Sequence, residues 1–261
     1  MDISLKNKTA IICGSTQGIG LAAARELALL GADCILLARN ETALKEAVAS
    51  LDSSSGQQHQ YAVADFSKND EVKTAIKKIV QSATIHILIN NTGGPAPGAI
   101  TDASTDNFTS AFQQHIVNNQ LLVQAVLPGM KEAGYGRIIN IISTSVKIPI
   151  ANLGVSNTIR AATAAWAKTL SLEVASFGIT VNNVLPGYTK TQRLDSLITT
   201  NAGKQNISKE ELATRMQQMI PAQRFGEASE VAAVAAFLAS PAASYVNGTS
   251  IPVDGGNTGA F

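Results

Sequence analysis

Short runs of β-branched residues alternate with alanine-rich segments along nearly the whole chain, and this rhythm limits the possible folds more than any other feature. It is typical of successive strand–helix–strand units, which build a parallel sheet with helices on both faces. The pattern predicts seven strands, near residues 8–13, 33–38, 60–64, 85–91, 136–143, 179–185 and 246–253. Helices are predicted near residues 18–30, 40–51, 68–82, 105–127, 155–177 and 227–239. We therefore expect one doubly wound α/β domain over residues 1–261.

Composition and charge exclude several classes of protein. A chain of 261 residues, 45% of them hydrophobic, can bury a large core without disulfides or metals. Its 20 Lys and Arg residues nearly balance 19 Asp and Glu residues, and no basic stripe offers a nucleic-acid surface. The N-terminus has no apolar signal core, and apolar runs such as residues 231–239 are too short to span a membrane. We expect a cytoplasmic protein with no nucleic-acid or membrane partner.

The cysteines and histidines do not form a metal-binding pattern. Cys13 and Cys34 lie in apolar runs that predict neighbouring buried strands, where free cysteine behaves as a small hydrophobe. His59, His86 and His115 are scattered along the chain. We expect neither a disulfide nor a metal site.

A glycine cluster follows the first predicted strand. Residues 14–20 read Gly-Ser-Thr-Gln-Gly-Ile-Gly and lead directly into the first predicted helix. Glycines at such a turn let the backbone approach a pyrophosphate, and the helix N-terminus offers free amides and a positive dipole end. A plain tight turn is the alternative interpretation of the same cluster.

One long segment interrupts the alternation of predicted strands and helices. Between the sixth predicted strand and the next firm helix, residues 186–225 carry several Thr and Asn residues and then a short amphipathic stretch over 209–219. Long insertions in compact domains are often lids, and this one follows the carboxyl end of a parallel strand, where open α/β sheets bind ligands. We predict a substrate lid over about residues 188–225; an ordinary surface excursion is the alternative.

Several short motifs together resemble one enzyme family. They are Gly-x-x-x-Gly-x-Gly at residues 14–20, Asp65, Asn90-Asn91-Thr92-Gly93, Asn182, Pro186-Gly187 and Val253-Asp254-Gly255-Gly256. In this order and spacing they resemble the short-chain dehydrogenase/reductase family, and most of all its 3-oxoacyl-carrier-protein reductases. The resemblance covers essentially the whole chain and implies a Rossmann-type oxidoreductase with a dinucleotide at the carboxyl edge of the sheet.

The resemblance also implies which residues contact the dinucleotide. The pyrophosphate would be lined by Gly14, Ser15, Thr16, Gln17, Ile19 and Gly20. Asp65 and Phe66 would flank the adenine, with Asn91 and Gly93 at the adenosine ribose. The nicotinamide end would be held by Pro186, Gly187, Thr189 and Thr191. From the residues alone, Asp65 could equally be a turn residue at a strand end.

The choice between NAD and NADP depends on the end of the second predicted strand, Leu37-Ala38-Arg39-Asn40. An NAD site would place a carboxylate here to bind the ribose 2′-hydroxyl, and this carboxylate would repel a 2′-phosphate. The sequence has none, and Arg39 supplies donors suited to phosphate. We therefore predict NADP(H), with NAD less favoured; the alternative is that Arg39 is only a solvated strand-end residue.

The catalytic positions depart from the family pattern. The family usually carries a Ser on the fifth strand, a Tyr-x-x-x-Lys pair on the next helix and an Asn on the preceding helix, which together form a proton relay. Ser143 matches the serine, but Ser156 and Arg160 stand where Tyr and Lys are expected. A phenol near a cation can donate a proton at neutral pH, whereas a serine hydroxyl cannot. Arg160 keeps the positive charge and can still bind the nicotinamide ribose, but its pKa is too high for proton shuttling.

A substitute for the missing acid is not obvious in the sequence. Counting without gaps places His115 at the family's Asn position, and a histidine that titrates near neutrality could relay a proton. A buried structural histidine is the alternative. Asn118 and Asn119 follow one helical turn later on the same face. Further polar candidates, which could equally serve loop solvation, are Lys147, Asn152 and Asn157.

We interpret the chain as an NADP(H)-dependent oxidoreductase of the short-chain type, acting on a small organic carbonyl or alcohol. Ser143, Ser156, Arg160 and His115 are its candidate catalytic residues. One alternative is conjugate reduction of an enone, in which hydride goes to carbon and the oxygen needs only electrostatic support. Another is a dinucleotide-binding sensor or partner subunit without turnover. The sequence does not identify the substrate.

We also expect a homo-oligomer, most simply a tetramer, formed through the two long helices before and after the fifth strand. The later helix is rich in small residues that permit close packing, with Trp166 as an anchor: Ala161, Ala162, Ala164, Ala165, Ala167 and Ala175. The alternative is that these alanines pack only on the sheet.

Overall fold

A computed structural model describes residues 1–259. Its seven strands form one parallel sheet in the order β3-β2-β1-β4-β5-β6-β7, which confirms the predicted seven-stranded, doubly wound architecture. The strands are β1 (Thr9–Cys13), β2 (Asp33–Ala38), β3 (Gln60–Val63), β4 (Ile87–Asn90), β5 (Gly136–Ile141), β6 (Ile179–Pro186) and β7 (Ser250–Val253).

Nine α-helices of the described chain connect or flank these strands. They are α1 (Gly18–Leu29), α2 (Glu41–Ala49), α3 (Asn69–Ser82), α4 (Thr105–Phe112), α5 (Asn118–Ala133), α6 (Gly154–Val174), α7 (Gln192–Gln205), α8 (Lys209–Gln218) and α9 (Ala228–Ala239). The expected helix over 105–127 is two helices, α4 and α5, joined by a π-helical turn at Gln113–Val117. Helix α7 was not predicted. None of the helices within residues 1–259 is long and apolar enough to cross a membrane.

The core has two layers because side chains alternate across the sheet. Ile12, with neighbours from β2 and β4, packs against α1, α2 and α9 on one face. Ile11 faces the other way and packs against α3, α5 and α6. Burial on both faces explains why the central strands read as continuous apolar runs rather than as alternating sequences.

The strand order places a ligand crevice at one point of the sheet. Strand β1 lies between β2 and β4 in the sheet. From β1 the chain builds β2 and β3 on one side, and it then crosses back to form β4 on the other side of β1. In open α/β sheets such a switch point leaves a crevice outside the carboxyl ends of the strands. The segments that follow β1 and β4 carry the glycine cluster and the Asn91-Thr92-Gly93 sequence.

A row of buried amides crosses the sheet near this crevice. The Asn90 side-chain amide donates to Asn140 (2.9 Å), Asn140 donates to Asn183 (2.9 Å), and Asn183 donates to the Ser250 hydroxyl (3.0 Å). These bonds join side chains of β4, β5, β6 and β7 at matching register. The row fixes the relative positions of strands that carry the catalytic candidates at their ends.

Candidate active site

The turn after β1 can be built only from glycine at two of its positions. Gly14 has φ +59°, and a methyl group there would lie 2.4 Å from the Asn91 carbonyl oxygen. A methyl group on Gly20 would lie 2.2 Å from the Gly14 carbonyl oxygen. The Asn91 side-chain amide donates to the carbonyls of Cys13 and Gly14, both at 3.2 Å. Its amide therefore holds the turn in place, a role that the sequence did not indicate.

The shape and chemistry of this turn fit a dinucleotide. The N-terminus of α1 opens directly from the turn, so its first amides face the crevice. The Ser15 hydroxyl is fully buried and has no hydrogen-bond partner among residues 1–259. An unpartnered buried hydroxyl is costly, and a phosphate or ribose oxygen bound here would satisfy it. Thr16, Gln17 and Ile19 complete the same turn.

Arg39 and Asp65 follow the neighbouring strands β2 and β3 at the carboxyl edge of the sheet. Arg39 is exposed directly after β2. Asp65 accepts hydrogen bonds from the Ser67 amide (2.9 Å) and hydroxyl (2.8 Å). These bonds, helped by the nearby charge of Arg39, hold the pKa of the Asp65 carboxyl below its usual value. Phe66 is buried, and its carbonyl accepts a hydrogen bond from the Asn118 side chain (2.7 Å).

The segment after β6 forms the opposite side of the crevice. Gly187 lies so close to Asp254 that a methyl group on it would be 2.6 Å from the Asp254 Cβ. Thr189 is buried and donates to the Gly187 carbonyl (3.2 Å). Thr191 caps α7, and its methyl group approaches the position that a side chain on Gly18 would occupy (3.3 Å). The start of α7 therefore contacts the glycine turn.

One of the candidate catalytic residues on α6 is bonded to the carboxyl end of β5. Ser143 follows β5, and its hydroxyl accepts from the Ser145 amide (3.1 Å). Ser156 and Arg160, one turn apart on α6, are both buried. The Arg160 guanidinium donates to the Ile141 carbonyl at 3.1 Å and so ties α6 to the end of β5. Burial and the charge of Arg193 lower the pKa of Arg160 to about 10, which leaves it protonated at neutral pH.

His115 lies in the π-helical turn between α4 and α5, an irregularity that often marks functional sites. Its Nδ1 lies 2.9 Å from the Thr92 hydroxyl, whereas its buried Nε2 has no partner within the described chain. Burial, and then the charges of Arg160 and Arg193, lower the pKa of His115 to about 3. The imidazole is therefore neutral at physiological pH. The expectation of a histidine that titrates near neutrality does not hold for this buried ring.

Two of the other polar candidates, Asn118 and Asn157, have hydrogen-bond partners that give them a structural role. Asn118 donates to the Phe66 carbonyl and accepts from Asn69 (2.5 Å), so it joins α5 to the segment after β3 and to α3. Asn152 has φ +60° and occupies a turn before α6. The Asn157 amide donates to the Ile150 carbonyl (2.8 Å) and closes the same turn. Asn119 is buried on α5, and Lys147 lies next to the short 3₁₀ turn after Ser143.

Arg193 is a site residue that the sequence reasoning missed. It lies in the first turn of α7 and donates to the carbonyls of Gly94 (2.9 Å) and Pro95 (3.1 Å), which follow β4. It therefore links residues 188–225 to the loop beside the candidate catalytic groups. The two ends of the contact are about a hundred residues apart in sequence, so only the fold brings them together.

The two ends of the insertion, residues 188–225, are joined at its base. The Lys190 amide donates to the Gly226 carbonyl (2.8 Å), and the Gly226 amide donates to the Tyr188 carbonyl (2.9 Å). Inside the insertion, α7 and α8 share a small apolar core, separate from the two main layers: Leu194, Ile198, Ala202, Leu212, Met216, Ile220 and Phe225. The insertion is thus a closed unit packed on its own core.

A cavity of about 340 Å³ lies next to the loop after β4, and none of the four candidate catalytic residues is among its lining residues. Its walls are the loop after β4, one face of α4 and the start of α6, and they include Pro95, Asp102, Asn107, Gln114 and Val155. Val155 immediately precedes Ser156, and Pro95 carries a carbonyl bound by Arg193. The volume suits a small organic molecule.

Comparison with known proteins identifies the family. Residues 14–258 match a family model described as enoyl-(acyl carrier protein) reductase. The chain belongs to the short-chain dehydrogenase/reductase family. This confirms the resemblance that the motifs carried.

Relatives within the short-chain dehydrogenase/reductase family match the chain over almost its whole length. The NADPH-dependent reductase BacG of Bacillus subtilis is 31% identical over 97% of this chain and 98% of its own. A granaticin polyketide synthase putative ketoacyl reductase of Streptomyces violaceoruber is 33% identical over 95% and 92%. The structure of L-sorbose reductase from Gluconobacter frateurii with NADPH and L-sorbose superimposes with a TM-score of 0.93, at 28% identity over the whole of both chains.

For a short-chain dehydrogenase/reductase, the absence of tyrosine from the first turns of α6 is a marked departure. The chain has four tyrosines. Tyr61 donates to Glu41 (3.2 Å), Tyr135 donates to the Ala239 carbonyl (2.6 Å), and Tyr245 is fully exposed. Tyr188 packs edge-on against Phe225 within the insertion. None of them occupies the place of Ser156.

Proposed function

We propose that this family member reduces a small organic carbonyl compound with NADPH and stabilises the developing negative charge without a tyrosine acid. The observation that carries the proposal is the group around Arg160: a buried arginine beside the neutral His115, on the same helix face as Ser156. The NADPH-dependent relatives support the cofactor and the reaction class.

The residues around the crevice would hold the cofactor along its length. When bound, NADPH supplies the hydride. The backbone of residues 14–20 would bind the pyrophosphate, with Ser15 donating its unpartnered hydroxyl. Arg39 would pair with the 2′-phosphate, and Asp65 and Phe66 would border the adenine. Gly93 leaves open space where a side chain would stand, which suits close approach of the ribose.

The substrate oxygen would be stabilised by hydrogen bonds and positive charge. Ser143 and Ser156 can each donate a hydroxyl hydrogen, and Arg160 contributes a full positive charge in a partly desolvated site. His115 can contribute only as a neutral imidazole, donating from Nε2 when Nδ1 accepts from the Thr92 hydroxyl. The final proton then comes from solvent rather than from a side chain with a pKa near neutrality. This arrangement supports an oxyanion better than it supports fast protonation.

Conjugate reduction of an enone is the second candidate, because the same observation favours it. Hydride addition to the β-carbon leaves an enolate whose oxygen needs electrostatic support during the reaction and no immediate proton. The Arg160 charge, a neutral histidine and two serine hydroxyls provide such support. The enoyl reductase description of the matching family model agrees with this chemistry.

The insertion over residues 188–225 also has a role in the proposed function. We propose that this insertion acts as a lid, since its first helix begins beside the glycine turn and Arg193 is bonded to the loop after β4, part of which lines the cavity.

We further propose a cytoplasmic homotetramer formed through α5 and α6. Ala161 and Ala165 are exposed on α6 and would permit close helix contact.

The decisive experiment measures NADPH oxidation with β-ketoesters and with enones, for the wild type and for Ser156→Tyr/Arg160→Lys. We expect slow reduction of ketones by the wild type, because general acid catalysis contributes roughly 10²–10⁴-fold and Ser156 cannot supply it. The double variant should gain ketone activity with NADPH affinity changed only a few-fold. The two single variants serve as controls. Arg160→Lys alone restores no acid, and Ser156→Tyr alone restores the phenol without the lysine.

The outcomes separate the candidate functions. Wild-type turnover confined to enones would establish conjugate reduction. Ketone turnover at ordinary rates of about 1–10³ per second would show that the missing acid has been replaced. Tight NADPH binding with no turnover on either class would overturn the proposal in favour of a sensor or partner subunit.

A further inference from the structure

Two arginine side chains converge on one glycine at the mouth of the site. A methyl group built on Gly94 would lie 2.8 Å from Nη2 of Arg193 and 3.3 Å from Nη2 of Arg160. The two guanidinium groups therefore approach the same backbone position, one from α7 and the other from α6. We call Arg160 and Arg193 the cation pair.

Within residues 1–259, neither arginine of the cation pair has an ion-pair partner. Their acceptors are three backbone carbonyls, those of Ile141, Gly94 and Pro95. His115, the third member of the cluster, is neutral. Two like charges held together, one of them buried, are unfavourable unless an anion joins them.

The cation pair is connected to the cavity through Pro95, although neither arginine is itself one of the residues that line it. Thr191, two residues before Arg193, contacts the glycine turn at Gly18. Arg193 instead extends to Gly94 and Pro95, and Pro95 is part of the cavity wall. Asp102 also lines this cavity and is negative, and Pro95 is the lining residue to which Arg193 is hydrogen-bonded.

We propose that the cation pair binds a carboxylate of the substrate, with Arg193 as the residue that determines specificity for acids. A guanidinium fork matches the two oxygens of a carboxylate in geometry and charge. The substrates would then be small oxo acids or unsaturated oxo acids, with the carboxylate held mainly by Arg193 near Pro95 while Arg160 also reaches the oxygen of the reacting carbonyl beside Ser143. This inference rests on the proposed function, because it assigns the substrate class of that same site.

The test compares each acid with its neutral methyl ester. The probes are acetoacetate, phenylpyruvate and 4-oxo-2-pentenoate, each with its ester, so that ketone and enone reduction are both covered. We expect kcat/KM for the acid to exceed that for the ester by tenfold or more. Arg193→Gln should lower kcat/KM for each acid at least tenfold more than it lowers kcat/KM for the matching ester, mostly through KM. Lys73→Gln, which removes a positive charge from the exposed face of α3, should change neither.

A calorimetric titration gives a measurement independent of turnover. Each acid is titrated into the complex of the protein with NADP⁺, and NADPH is titrated into the free protein. Selective loss of acid binding in Arg193→Gln, with NADPH affinity unchanged, supports the inference. It also stands, while the proposed function fails, if the acids bind selectively through Arg193 but no probe is reduced.

Three results would overturn the inference. In the first, the wild type binds acid and ester equally. In the second, Arg193→Gln weakens acid and ester to the same extent, which is the effect of a structural role in positioning α7. In the third, the variant binds NADPH tenfold more weakly but keeps its preference for acids, which would assign Arg193 to a phosphate of the cofactor instead.

Discussion

At the scale of single residues, Arg39 determines the expected cofactor preference. It is exposed at the end of β2, and its charge lies close enough to Asp65 to favour the ionised carboxyl. Arg39→Asp should reverse the preference, because a carboxylate repels a 2′-phosphate and binds a 2′-hydroxyl. Calorimetric titration with NADPH and NADH should show NADPH affinity falling by about tenfold or more, as expected for loss of a charged hydrogen bond of roughly 1.5–3 kcal/mol. Tighter binding of NADH than NADPH by the wild type would contradict the assignment.

His115 makes stability depend on pH in a defined direction. The folded protein keeps the ring neutral down to about pH 3, whereas the unfolded chain takes up a proton near pH 6.5. Between these values the unfolded state binds more protons, so the free energy of unfolding decreases as the pH falls from 6.5 toward 3. At pH 5 the loss from this one group is about 2 kcal/mol.

Urea unfolding at pH 7.5 and pH 5.0 tests this prediction. His115→Asn should lose about 2 kcal/mol less than the wild type between the two pH values, because asparagine does not titrate. His86→Asn is the matched control. His86 is only half-buried and its pKa is lowered by burial and by Lys8, so its removal should have a smaller effect. Equal pH dependence in the wild type and His115→Asn would show that the histidine is not held neutral.

At the scale of secondary-structure elements, the sequence predicts the strands and most helices because their apolar patterns are strong. Helix α7 was missed because Thr199, Thr200, Asn201 and Gly203 resemble a loop sequence. Its apolar residues nevertheless follow helical spacing, at Leu194, Leu197, Ile198 and Ala202. A search for that spacing would have found the helix.

Other features of the elements have no signal in the sequence. The π-helical turn at Gln113–Val117 differs from an α-helix by one extra residue in a turn, and its composition is ordinary for a helix. The glycine turn could be predicted, because steric constraints leave only glycine there. The contact of Arg193 with Gly94 could not, because it depends on how the insertion folds back over the loop after β4. The sequence therefore predicts features set by neighbouring residues, such as the glycine turn, but it does not predict contacts between distant segments.

The separate core of the insertion predicts that it can open without unfolding the sheet. Leu212 on α8 is buried in that core. Leu212→Ala should destabilise α7 and α8 locally, since such truncations commonly cost about 2–5 kcal/mol in a packed core. Hydrogen exchange should then accelerate by about tenfold or more across residues 192–218, with little change in β1 or β4.

The control for this experiment lies on the same helix. Thr214 is exposed on α8 and bonds only to the Glu210 carbonyl within the described chain (2.9 Å). Thr214→Ala should leave exchange across the insertion nearly unchanged. If Leu212→Ala accelerates exchange equally in the central strands, the insertion is part of the main cooperative unit, and an independently moving lid is excluded.

At the scale of the whole molecule, the order of the strands determines where the site forms. The crevice at the switch point brings together segments that follow β1, β4, β5 and β6, and the amide row from Asn90 to Ser250 holds three of these strands in register. The site residues then stand on rigid strand ends and helix starts. The insertion is the exception, since it is joined to this framework at its base and through Arg193.

Assembly is the remaining property of the whole molecule, and the structure changes how it should be tested. Trp166 was expected as an anchor, but it is only partly exposed and its indole donates to Gln120 of the same chain (2.8 Å). The exposed apolar positions on α6 are instead Ala161, Ala165 and Leu172. Glutamate at Ala165 would place bulk and charge where two helices should approach closely, so Ala165→Glu should dissociate the tetramer.

Light scattering coupled to size-exclusion chromatography measures the effect. The wild type at micromolar concentration should have about four times the chain mass of 27.2 kDa, and Ala165→Glu should shift toward the dimer or monomer. Leu29→Glu on α1 introduces the same charge at an exposed apolar position away from α5 and α6, and it should remain tetrameric. A wild-type mass near 27.2 kDa would contradict assembly altogether. Dissociation by Leu29→Glu but not by Ala165→Glu would instead place the interface on the opposite face of the sheet, where α1 packs beside α9.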